Sequence, residues 1–128
     1  MWSNYYDYYE IRASESYSIT ADTKQMQIVL DTMPELERIG LMNYKNAAGY
    51  SWVDLVLAKG EKDSFNCSND TWHDEFNMIP IVCSKSEKGS VPAFQITFLI
   101  KIAAMLNWEL INEENDGGQE NIVLWKPL

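Results

Sequence analysis

SVPAFQITFLIKIAAMLNW, residues 90–108, is the stretch that decides the fold. It is the most apolar segment of the chain, and its one charge is Lys101. Phe94, Phe98, Ile102 and Leu106 recur every four positions, with Leu99 and Met105 beside them. That spacing predicts a helix with an apolar stripe along one side. Pro92 suits the first helical turn, where a missing N–H costs nothing. Asn107 suits the stop, because asparagine tolerates the left-handed conformation that ends many helices. Each buried stripe residue contributes about 1.5–3 kcal/mol, so this helix is expected to anchor the core.

The flanking segments alternate with the period of strands. Upstream, MIPIVCS at residues 78–84 puts Ile79, Ile81 and Cys83 on one face. Pro80 has no ladder donor and is expected at a bulge or facing an unpaired edge. Before it, YSWVDLVLAK at residues 50–59 sets Val53, Leu55 and Leu57 against Trp52, Asp54 and Val56. A mid-strand aspartate faces water, so the sheet is expected to leave one side open. The first strand is YYDYYEIRA, residues 5–13, with tyrosine rings packing on both sides. Between the first two strands, Asp22 or Thr23 caps a helix carrying Met26, Val29, Leu30 and Met33. Pro34 ends that helix near Thr32 and starts a short turn, from which Leu36 and Ile39 pack inward. Glu35, Glu37 and Arg38 form the turn's solvated side, and residues 41–49 read as a polar loop. Downstream of the main helix, residues 108–111 and 122–125 read as strands of a hairpin turned by Asp116-Gly117. The expected fold is α+β, one domain over residues 1–128: a ferredoxin-like βαββαβ layout. Its antiparallel sheet carries two helices on one face and an extra C-terminal hairpin strand.

Composition narrows the functions open to such a domain. The net charge is −9 and the sequence pI is near 4.4. Such a surface repels nucleic acid and anionic membrane and favours a basic protein partner, although solubility alone accounts for it equally well. No catalytic motif is present. His73 is the only histidine, there is no HExxH or CxxC, and GEKDSF at residues 60–65 is no phosphate loop. No cofactor or metal is therefore expected. Cys83 reads as an inert core thiol. The opening residues lack a basic start and an apolar core, so a chain starting at Met1 is expected to stay in the cytosol. Residues 60–77 form the least regular segment, with acids around aromatic anchors, a pattern that suits a protein-binding surface.

The end of the chain, IKIAAMLNWELINEENDGGQENIVLWKP, resembles the tails of small acidic immunity proteins. These are the antidotes encoded beside bacterial contact-dependent inhibition toxins and related polymorphic toxins. In such tails a helix ending IAxxL leads into WEL, an acidic hairpin, and a closing apolar strand with a proline. Here these are Ile102, Ala103 and Leu106, then Trp108-Glu109-Leu110, then residues 113–120, then residues 122–127. Asn107 stands where glycine is frequent, and both accept positive φ. The match covers about the last quarter of the chain, and the remainder agrees in layout only. It carries no catalytic residue across. It implies a monomeric, non-enzymatic cytoplasmic inhibitor that binds one cognate toxin C-terminal domain, commonly a basic nuclease, and occludes its active site. The residues expected to meet that partner are Asp63, Asp70, Trp72, Asp74 and Glu75 from the irregular segment, and Glu113, Glu114 and Asp116 from the hairpin. Two other classes stay open: a small enzyme on the same scaffold, and a ligand-binding or regulatory module that uses the open sheet face.

Overall fold

In the computed structural model, residues 5–61, 64–66, 72–85, 89–114 and 120–127 are described, the side chains of residues 61, 64–66 and 114 excepted. In chain order the elements are β1 (Tyr6–Arg12), β2 (Ala21–Asp22), α1 (Thr23–Asp31), β3 (Leu36–Arg38), β4 (Asn43–Asn46), β5 (Val53–Val56) and β6 (Lys59–Glu61). There follow β7 (Ser64–Asn66), β8 (Glu75–Phe76), β9 (Met78–Ser84), α2 (Ala93–Leu106), β10 (Glu109–Glu114) and β11 (Glu120–Trp125). Among the described residues, seven strands form one antiparallel sheet in the order β11-β10-β1-β9-β5-β4-β3, and β2-β8 and β6-β7 form two small pairs. The fold is α+β, with a large antiparallel sheet and two helices. Its sheet is wider than the expected four strands with one hairpin addition, because β3 and β4 extend the edge beyond β5.

Local chemistry fixes both helices. The Asp22 carboxylate accepts the Gln25 N–H at 2.8 Å, capping α1. At the far end the Thr32 hydroxyl donates back to the Val29 carbonyl at 2.6 Å, two residues before Pro34. In α2, Asn107 takes φ 59°. Its N–H and that of Trp108 return to the carbonyls of Ala104 and Ala103 at 3.1 and 3.0 Å. This paired return satisfies carbonyls that a helix end leaves orphaned.

Both helices pack on one side of the sheet. Register places Tyr9 opposite Ile81, Ile11 opposite Ile79 and Leu110, and Leu55 opposite Ile81 and Tyr44. These residues share one buried cluster with Met26 and Leu30 of α1 and with Phe98, Leu99, Ile102 and Ala103 of α2. Cys83 lies in the same cluster, and burial pushes its thiol up to about 12.

Several expectations need correction. Phe94 is 64% exposed and Met105 45% exposed, so neither belongs to the buried stripe. At 100° per residue, Phe94 lies about 140° and Met105 about 120° around the helix from Leu99. The buried line instead runs through Gln95, Phe98, Leu99, Ile102 and Ala103. Residues 41–49 hold the strand β4 rather than a plain loop. Tyr44 is fully buried there, and its hydroxyl donates to Asp31 Oδ1 at 2.8 Å. The segment after Pro34 forms the edge strand β3: Leu36 is buried, but Ile39 is 49% exposed. Pro80 is in a central strand, opposite Glu10. The ladder to β5 lapses around it, between the pairs Leu55↔Ile81 and Ala58↔Met78, as a residue without an N–H requires. Within residues 60–77, β7 and β8 replace part of the expected irregularity. Among the described residues no helix is long and apolar enough to cross a membrane.

The corrected stripe is tested by two single substitutions. Leu99→Ala should cost about 2–5 kcal/mol of stability in urea unfolding, whereas Phe94→Ser should stay within about 0.5 kcal/mol of the parent.

Candidate binding face

Side chains that alternate with the core positions emerge on the face opposite the helices. Register aligns Glu37 with Lys45, Lys45 with Asp54, Asp54 with Val82, and Val82 with Tyr8, a row running from β3 to β1. Glu113 follows the pair Asn112↔Tyr9 on β10 and so shares a side with Glu10 and Ile111. One step along the strands, the Tyr6 ring meets the Trp52 ring at a centroid distance of 5.3 Å. Trp52 is exposed, and Tyr6, Tyr8, Val82 and Asp54 are half-buried.

One end of this face is closed by the segment after β1. Tyr17, at φ 56°, turns its side chain back onto the sheet. Its hydroxyl donates to Glu10 Oε2 at 2.7 Å and accepts from Arg12 Nη1 at 3.1 Å. Arg12 Nε donates to Glu109 Oε1 at 3.2 Å, and the guanidinium lies 5.7 Å from the Tyr17 ring centroid. Asn77 Nδ2 holds the Tyr17 carbonyl at 3.1 Å. Glu10 and Arg12 are both buried here, so each needs the other and Tyr17 to replace lost water. Burial still raises the Glu10 carboxyl above its usual range, against the Tyr17 hydrogen bond and the Arg12 charge.

Two carboxylates lie outside this clasp. Burial, reinforced by Glu10 and opposed by Arg12, pushes Glu113 up to about 7. Asp54 is raised by burial. Among the described residues, neither makes a hydrogen bond or an ion pair. A carboxylate in that condition is an acceptor short of a cationic donor.

The partner-contact residues expected from sequence divide between two places. The Trp72 indole N–H donates to Asp74 Oδ1 at 2.7 Å. The Asp74 carbonyl accepts the Thr23 N–H at 2.9 Å. Glu75 pairs with Asp22 in the β2-β8 ladder and accepts from Thr20 Oγ1 at 3.0 Å. These three gather at the start of α1, whereas Glu113 lies beside Glu10 on the open face. Asp63, Asp70 and Asp116, and the side chain of Glu114, lie outside the described residues. The sequence reading missed Glu10, Arg12 and Tyr17. Strand alternation about Ile11 is the signal that could have placed the first two opposite the core, but nothing local ties Tyr17 to them. His73 Nε2 is shielded from solvent and has no hydrogen-bond partner among the described residues. Also among the described residues, no group of three or more histidine, cysteine or acidic side chains could hold a metal ion.

No protein-family model, no curated protein and no solved structure matches this chain.

Two substitutions test the electrostatics. Tyr17→Phe leaves Glu10 and Arg12 each one partner short, and should lower stability by about 1–3 kcal/mol in urea unfolding. For Glu113, a carboxyl raised in the folded state holds its proton where the unfolded chain has lost it. Its contribution to stability therefore falls as pH rises from about 4.5 to about 7. Glu113→Gln should then stabilise the fold at pH 8 by on the order of 1 kcal/mol, after allowing for solvent screening, and by little at pH 4.

Proposed function

We propose that the chain is an immunity protein: a non-catalytic inhibitor that binds one cognate toxin domain, a basic nuclease, and covers its active site. The observation that carries this reading is where the guanidinium groups go, on a chain of net charge −9. The chain has two arginines, and both are held in internal ion pairs. Arg12 is paired with Glu10 and Glu109, and Arg38 with Asp31 at 3.2 Å. Arg38 also donates to Gln27 Oε1 at 2.8 Å. Guanidinium groups are the usual forks for phosphate, and here they are turned to holding the fold. On a chain of net charge −9, that leaves carboxylates to dominate what a partner meets. A nuclease presents a positive cleft for phosphates, which such a surface complements.

The likeness of residues 100–127 to immunity-protein tails agrees with this reading. So does the layout, taken at its finest: we read β10-β1-β9-β5 with α1 and α2 as a ferredoxin-like core in which β3, β4 and β11 are additions. On this reading the protein works as a monomer in the cytoplasm, where the incoming toxin domain acts.

The test is co-expression with the C-terminal toxin domain encoded by a neighbouring gene. Rescue of growth is expected, with an association rate that falls about tenfold or more between 50 and 500 mM salt. Failure to rescue, with both proteins soluble, removes the proposal.

A further inference from the structure

We infer that the sheet face opposite the helices, from Asp54 across Val82 and Tyr8 to Glu113, docks an extended segment of the partner carrying basic side chains among apolar ones. This rests on the proposed inhibitory function and names its contact surface, which shares Glu113 with the residues that sequence suggests but leaves out the irregular segment and the hairpin turn.

Three observations point to that occupant. First, among the described residues no helix covers this part of the sheet, and its aromatic side is already ordered. Tyr6 and Trp52 pack ring to ring, with Trp52 left 42% exposed. A ring pair fixed in advance loses little entropy on contact, and suits both apolar side chains and cations. Second, the face carries carboxylates in need of cations. Asp54 and Glu113 make no hydrogen bond or ion pair among the described residues, and Lys45, directly opposite Asp54, forms no ion pair with it. Holding desolvated carboxylates without partners is unfavourable, and a lysine or arginine brought in by another chain removes that cost. Third, the spacing fits. β5, β9, β1 and β10 are consecutive in the sheet, so Asp54 and Glu113 stand three strand spacings apart, roughly 14 Å. Two basic side chains four residues apart on an extended segment are separated by about 13 Å. Between them, the middle residue of that same face would meet Val82 and Tyr8. The clasp of Tyr17, Glu10 and Arg12 closes one end of the face, so the segment approaches from the side of Trp52.

Any acidic protein attracts cations over its whole surface. Position therefore has to be separated from charge. The double variant Asp54→Asn/Glu113→Gln removes two charges from the face, and Glu15→Gln/Glu120→Gln removes two from exposed sites elsewhere. Both are checked for an unchanged fold by circular dichroism and thermal unfolding. Two probes are used: an octa-arginine peptide, followed by amide chemical shifts, and the neighbouring-gene toxin domain, followed by hydrogen exchange and binding kinetics. The peptide should perturb Tyr8, Asp54 and Val82 most. The face variant should weaken its binding about tenfold or more, and the control variant less than threefold. Equal weakening by the two variants, or perturbation centred on Trp72, Asp74 and Glu75, overturns the inference. If the toxin domain is bound but protects other surfaces, the docking face falls and the inhibitory function stands. If the peptide maps to the face while the toxin domain is not bound, the face stands and the inhibitory function falls.

Discussion

The structure depends on one constraint: both helices cover the same side of the sheet. Strand side chains alternate, so this single choice sorts every strand residue into core or open face. Tyr9 and Ile11 go inward with Ile79, Ile81, Val53 and Leu55, and lock to Leu30, Leu99 and Ile102. Tyr8, Glu10 and Arg12 then have no option but the other side. The polar features that make this molecule chemically distinctive follow from where its apolar residues went.

The open side handles its charges in two ways. Around Arg12 the solution is closure: Tyr17 folds back, and Glu10 and Glu109 supply the negative charge that the guanidinium needs. Across the middle of the sheet the described residues show no such closure. Asp54 and Glu113 lose water to their neighbours without gaining a donor, and both hold protons more tightly than free carboxyls do. A fold that leaves such groups uncompensated gives up stability there. In the proposed complex, the compensating gain comes when another chain supplies the cations.

Much of the fold was legible because its signals are local. Asp22, Thr32 and Pro34 mark the ends of α1 through bonds that reach three or four residues. Asn107 marks the end of α2 through its own backbone angle. Alternation at positions 53, 55 and 57, and at 79, 81 and 83, identified two central strands. Elsewhere the signal was absent or misleading. Asn43 and Tyr44 are adjacent and both buried, so β4 shows no alternation. Phe94 and Met105 fit an apolar count along α2 but lie off its buried arc. The open face was foreseen from Asp54, but the clasp was not. It joins Glu10 and Arg12 to a tyrosine beyond a chain reversal, and no periodicity encodes that meeting.

The central claim is that the open face holds carboxylates, Asp54 and Glu113, that lose water without gaining a hydrogen bond or ion pair among the described residues. The most direct measurement is a carbon-detected NMR titration of the Glu113 and Asp54 side chains in the free protein. The account predicts a Glu113 midpoint near 7 and an Asp54 midpoint above its ordinary 3.8. Midpoints at or below the ordinary carboxyl values for both would mean that these groups are solvated or already paired, and would contradict it.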